Sequence, residues 1–478
     1  MFSRLTGALV ALLTAYLALT MVMAPEPLEK SSTVAEPDLA LSVAGIRASR
    51  NPAKLDAVDR ANRIKPPRSR QPQVPTTTSA PAPTSTAAPT TTAAPTTTAP
   101  TPSTTSAPPT TTAPPTTAPS TTTTTSGTGA PAGAVVIQPG ANVVSVVNSH
   151  PAGTTFYFTS GVHYPSSTIE PQNGDVFLGQ AGAVLNGADK VTFAFRSAAS
   201  NVTISGLVIE DFKNEAQTGA VDGNGTAWIV KNNEIRYNWG AGITLGDGYY
   251  ISGNYIHHNR QIGIKGSGDN IVIENNEISY NNYNDDYEMG WEAGGTKFLY
   301  TTNLIVRGNY VHNNHGNALW TDAGNIGTLY ENNTVINNYG SGIFHEISYS
   351  AVIRYNKVEG NAHSHSSGGI KITNSDGVEV YGNTLVGNDG GVHASQSDRG
   401  NYLLKNLWVH DNYVSFSTGW SGLSVNYGGN EVYESYNNRF DGNTYGTGST
   451  PKPFYWMFET RTPAQWLAYG LDINGKLN

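Results

Sequence analysis

An asparagine recurs along the second half of the chain at a nearly constant spacing. Asn233, Asn254, Asn276, Asn309, Asn333, Asn356, Asn383, Asn412 and Asn438 each precede a short apolar segment, in strings such as "VKNNEI", "ISGNYI" and "IENNEI". Successive members stand 21, 22, 33, 24, 23, 27, 29 and 26 residues apart. A second asparagine follows five residues later in most repeats, at Asn238, Asn259, Asn281, Asn314, Asn338, Asn361, Asn388 and Asn443. Repeats of roughly 20–50 residues mark a stacked architecture. These repeats are too short for a helical crossover, so each strand must pair with its own counterpart one coil away. Asparagine suits such a turn because it tolerates left-handed backbone angles and its amide can bond to the copy above. The expectation is an all-β solenoid, a parallel β-helix.

The repeats "VRGNYV", "YENNTV" and "SYNNRF" resemble right-handed parallel β-helix repeats of the pectin-lyase-like superfamily. The opening "IQPGANVVSVVNSHPAGTTFYFTSGVHY" is similar to that superfamily's N-terminal capping helix and first strand. The resemblance covers about 134–445 and implies a right-handed parallel β-helix, with 446–478 as a C-terminal cap. It implies no single activity, because the superfamily holds lyases, glycoside hydrolases, epimerases and tailspikes.

What precedes the repeats reads differently. Residues 1–24 carry Arg4 and then an uncharged, mostly apolar run, the pattern of a secretory leader. Pro25 directly after it disfavours cleavage, so signal peptide and membrane anchor both remain open. Either way the protein is exported: secreted or tethered at the cell surface. Residues 25–73 are polar and show no periodicity, and disorder is expected there. Residues 74–133 reduce to Thr, Pro, Ala and Ser, which cannot bury a core, and form a disordered stalk. A net charge of −8 argues against nucleic acid as a partner. Cysteine is absent, so disulfides and thiolate-held zinc are excluded.

Aligning the coils on the asparagines exposes a second strand in each, "GITLG", "GIKGS", "GTKFL", "ALWTD", "GIFHE", "GIKIT" and "GVHAS". Strand alternation turns Ile243, Ile264, Leu319, Ile343, Ile370 and Val392 inward. It turns Thr244, Lys265, Lys297, Trp320, Phe344, Lys371 and His393 outward. Two residues further on, Asp322 and Glu346 also point out from neighbouring coils, about 5 Å apart. Like charges stacked this way cost stability, so their presence asks for a reason. His345 falls on an inward position and is taken as a bend or as a partner of Glu346. Glu292 comes from the insertion "NYNDDYEMGWEAGG" in the 33-residue coil. Two long coils, 276–309 and 383–412, supply loops to wall this face into a groove.

Three functions fit. The first is an extracytoplasmic glycoside hydrolase acting on a polysaccharide, with Glu346 and Asp322 as paired carboxylates, Glu292 as a wider partner and His345 tuning Glu346. Trp320, Trp291 and Phe344 would stack sugar rings, with Lys371 and His393 beside them. The second is a lyase or C5-epimerase on a uronic acid, with Lys297 as base near Glu292. That pattern resembles some β-helix lyases, but those place an arginine on the aligned strands and this sequence shows none there. The third is a non-catalytic glycan-binding protein of the cell envelope. No cofactor is required for hydrolysis, and no metal ligands are assigned. A calcium site of oxygen ligands is open to Asp285, Asp286 and Glu288, which otherwise read as a solvated loop. Lys265 reads as a solvated surface residue. A monomer is expected.

Overall fold

The computed structural model describes residues 129–363 and 368–477. The expected leader, the polar segment and nearly all of the Thr/Pro-rich linker lie outside the described residues, as do residues 364–367. Among the described residues no helix is long and apolar enough to cross a membrane.

From Val135 onward the chain winds into a right-handed parallel β-helix, with strands in a 24-stranded and a 13-stranded sheet. A typical coil contributes Ile229–Lys231, Glu234–Arg236 and Ala241–Leu245. Each strand pairs in parallel with its copy one coil on, so that Ile235 lies on Ile256 and Ile256 on Ile278. The interior is filled by these aligned columns. Ile243, Ile264, Leu319, Ile343, Ile370 and Val392 are all fully buried, as the alternation required. Each such side chain contributes about 1.5–3 kcal/mol.

Stacked asparagines close the coils. Asn254 Oδ1 accepts both the backbone N–H and the side-chain amide of Asn233, at 3.0 Å each. Its own Nδ2 donates onward to Asn276 Oδ1 at 2.9 Å and back to the Val230 carbonyl at 2.8 Å. Every polar atom of the buried amide is therefore satisfied, which makes its burial tolerable. Beside this column the chain takes left-handed angles at Asn232, Asn275 and Asn332 (φ 53°, 55° and 54°), and glycine fills the same place at Gly253 and Gly308. These residue types avoid most of the left-handed penalty.

The last coil corrects the sequence alignment. Asn443, not Asn438, continues the first column, since Asn412 bonds to Asn443 Oδ1 and Tyr413 pairs with Thr444. Asn438 belongs to a different corner, where it accepts from Leu407 N–H and donates to the Leu404 carbonyl. The column ends on Asp472, whose Oδ1 accepts from Asn443 and whose Oδ2 accepts from the Trp466 indole. A terminal position needs acceptors only, and a carboxylate supplies them.

A short helix packs apolar residues into the core near each end of the solenoid. The helix Val143–Asn148, capped by Asn142, lays Val143 and Val147 over the first coil. At the other end Phe454–Trp456 adds a strand and folds back antiparallel onto Glu459–Arg461. The helix Pro463–Ala468 starts with a capping box at Thr462, and its buried Trp466 stacks on Phe454 at 4.6 Å.

Candidate active site

The outward column is continuous. Lys265 lies beside Lys297, Trp320 beside Phe344, Phe344 beside Lys371, and Lys371 beside His393. Two residues along the strands, Asp322 is the direct register partner of Glu346, followed by Thr373 and Ser395. The carboxylate pair expected from alternation is thus assembled on adjacent coils.

Two insertions close over this column, each held by an asparagine. Asn282 clamps the first by accepting from Tyr287 N–H and donating to the Tyr287 and His315 carbonyls. This insertion ends in the short helix Met289–Glu292, which brings Glu292 between Lys265 and Lys297, 3.9 Å from each ammonium. The Trp291 carbonyl accepts from Lys297 Nζ at 2.7 Å, while the Trp291 side chain is half-buried on the insertion, away from the open cleft. Asn374 pins the second insertion through Ser397 and the Tyr402 carbonyl. From it Arg399 reaches back to Glu346, with Nη2 to Oε1 at 3.7 Å.

The electrostatics separate the two acids. Lys297 Nζ engages Asp322 Oδ2 at 2.9 Å. Among the described residues Glu346 has no cation at that range, and its carboxyl is pushed above the usual range by burial first and by the charge of Asp322 second. Arg399, Lys371 and Lys297 oppose that rise. Burial lowers Lys371, with Glu346 acting against it. The arrangement sets a cation against Asp322 and raises the proton affinity of Glu346.

Several expected roles are corrected. His345 is fully buried inside the solenoid; its Nδ1 bonds to Thr321 Oγ1 at 2.7 Å and not to Glu346. The strand runs through it without a bend, so period-two alternation points it inward like Ile343. Trp320 is not an exposed sugar platform, being 2% exposed with the Lys297 ammonium 3.9 Å over its ring. Phe344 is buried too, under Lys371, although its edge lines the cleft. Lys265 is not solvated: it is buried beneath the first insertion and donates to Gln217 Oε1 at 2.8 Å. His393 reaches the cleft wall but is buried, stacked on Trp420 at 3.9 Å and bonded to the Trp420 carbonyl. In the acidic loop Asp286 pairs with Arg260 and Asp285 with His315.

An open cleft of about 350 Å³ runs from Glu346 toward later coils, lined among others by Lys371, His393, Arg399 and Trp420. Arg399 and Trp420 were missed by sequence reading. The 29-residue spacing after Asn383 announced a long loop, but nothing in it tells which loop residue returns to the groove.

The fold is a right-handed parallel β-helix carrying a groove on one face. Residues 219–385 match the family described as a right-handed beta helix region. A tail spike protein of Salmonella phage epsilon15 is 26% identical over 235 residues, covering 42% of this chain. The match spans 22% of the tail spike's own length. Among solved structures, the A-module of the Azotobacter vinelandii mannuronan C-5 epimerase AlgE4 is similar at a TM-score of 0.50 and 14% identity, covering 67% of this chain and 93% of that one. XylC in complex with xylose is similar at a TM-score of 0.51 and 13% identity, covering 64% of this chain and 81% of that one.

Proposed function

We propose that this protein is an exported polysaccharide-cleaving glycoside hydrolase in which Glu346 donates the proton and Asp322 is its ionised partner. One observation carries the reading: two carboxylates are register partners on adjacent strands, and of the two it is Asp322 that Lys297 engages. Glycoside hydrolysis needs this asymmetry, one protonated and one charged carboxyl flanking the scissile bond. Neighbouring strands stand about 4.8 Å apart, closer to the roughly 5 Å of retaining enzymes than to the wider gap of inverting ones. Asp322 would then attack the anomeric carbon through Oδ1, because Oδ2 faces Lys297. A polysaccharide substrate agrees with the sugar-related names of the similar proteins.

A lyase or C5-epimerase on a uronic acid is the second reading, and Arg399 favours it. The arginine missing from the strands arrives from a loop and reaches Glu346, the register partner of the Asp322 that Lys297 engages. Product chemistry separates the readings. Hydrolysis yields new reducing ends without near-ultraviolet absorbance, a lyase yields an unsaturated uronate, and an epimerase changes sugar configuration without cleavage. Glu346→Gln should lower hydrolysis at least about a hundredfold while leaving the fold intact. Wild-type turnover in that variant removes Glu346 from the mechanism.

A further inference from the structure

The cleft beside Glu346 has an unbalanced charge. Of the described residues lining it, Lys371 and Arg399 are cationic, and Glu346 is the one carboxylate among them. The remaining titratable group there, His393, is pushed down to about 4 by burial and is neutral near neutral pH. Among the described residues neither cation is closely paired with an anion. The Lys371 ammonium sits 4.7 Å over the Phe344 ring, and Arg399 stands 3.7 Å from Glu346, beyond hydrogen-bond length, with half of its side chain exposed. Both cations therefore depend on a carboxylate that the catalytic reading requires to be protonated. When Glu346 carries that proton, two positive charges face the cleft without a fixed counter-charge.

We propose that this cleft takes a sugar unit bearing an anionic group, a carboxylate or a sulfate, which Lys371 and Arg399 hold together. The inference rests on the hydrolase reading above and goes beyond it by naming the substrate class. The planar guanidinium suits such a group, because its paired N–H donors match two oxygens at once. Its loop is already anchored: Asn374 binds Ser397 and Tyr402 on either side of Arg399, and Gln396 Oε1 accepts from Leu404 N–H at 2.5 Å. Around it Thr373 and Ser395, linked at 2.8 Å, offer hydroxyls to a sugar ring. The volume of about 350 Å³ lies at the small end of ligand sites. The bound anion takes over from Glu346 as the counter-charge of both cations, so binding draws a proton onto Glu346. Substrate arrival would itself arm the acid.

Calorimetry on the intact protein tests this with three probes: D-glucuronate, glucose 6-sulfate and methyl β-D-glucoside. At least one anionic sugar should bind about tenfold or more tighter than the neutral one, and the ratio between the two anions tells carboxylate from sulfate. Lys371→Met and Arg399→Gln should each weaken the anionic probe about tenfold, with unchanged thermal midpoints. Repeating the titration in buffers of different ionisation enthalpy should show proton uptake that disappears in Glu346→Gln. Equal binding of all three sugars, no binding by any of them, or insensitivity to both substitutions overturns the proposal. The two readings fail separately. Anionic preference alongside full turnover by Glu346→Gln sinks the hydrolase alone, whereas Glu346-dependent cleavage without anionic preference sinks the cleft assignment alone.

Discussion

Asp322 and Glu346 face one another across adjacent strands, and Lys297 is bound to only one of them. A symmetrical pair would share its proton without preference. Here burial, and after it the charge of Asp322, raises the proton affinity of the Glu346 carboxyl. Asp322→Asn removes the like charge, so the Glu346 carboxyl should titrate at lower pH than in the wild type. Arg399→Gln removes an opposing cation and should move it the other way. Carbon-13 detection of the Glu346 carboxyl reads both shifts directly; movement in the same direction for both variants would contradict the arrangement.

A carboxyl raised on folding also affects stability. The folded state holds the Glu346 proton to higher pH than the unfolded chain, so this residue favours folding in acid and loses that favour as pH rises through its raised pKa. Above that window the buried charge is a burden. Glu346→Gln should therefore raise stability near pH 7 by up to about 1 kcal/mol, a common exchange at catalytic positions. Thermal midpoints at pH 7 and pH 4 should show the gain at the higher pH and little or none at the lower.

Two buried histidines predict acid sensitivity. His345 is pushed down to about 3 and His393 to about 4, in both cases chiefly by burial, against an ordinary value of 6.5. Below about pH 6 the unfolded chain takes up protons that the native state refuses. Their contribution is complete above 6.5 and declines as pH falls toward the folded values, by up to about 1.4 kcal/mol per pH unit for each histidine. His345→Leu should roughly halve this acid slope and leave turnover within about twofold. The Nε2 of His345 is buried without a partner, so the cost at neutral pH should stay under about 1.5 kcal/mol. A large loss of activity would restore His345 to the mechanism.

The asparagine column should be unforgiving. Asn314 Oδ1 accepts from both the backbone and the amide of Asn281, and its Nδ2 donates to the Ile278 carbonyl and to Asn338. Asn314→Ala strands a buried backbone N–H and breaks the chain of amides on both sides. A loss of about 3–5 kcal/mol is expected in denaturant unfolding. Asn437→Ala, at an exposed left-handed corner where the side chain donates to Asn406 and accepts from Arg439, serves as the control and should cost only about 1 kcal/mol.

The sequence alone determined the solenoid, because the fold is a local rule repeated. Each coil must place an asparagine at its corner and alternate apolar residues along its strands, and both requirements are visible within about twenty-five residues. The same alternation placed Asp322 and Glu346 on one face before any coordinate was known. It also put His345 on the inside, and giving that residue a role at the surface set aside a rule that the strand obeys. What only the tertiary structure decided lies in the insertions. Whether Lys265, Lys297 and Trp320 are open or covered depends on how the segment around Met289–Glu292 folds back, and the return of Arg399 to Glu346 depends on the clasp made by Asn374. Loops follow no repeat, so their contacts are set by long-range packing that no spacing records. The last coil shows the same limit: Asn438 and Asn443 are equally plausible in the string "NNRFDGN", and only strand pairing shows which one carries the column.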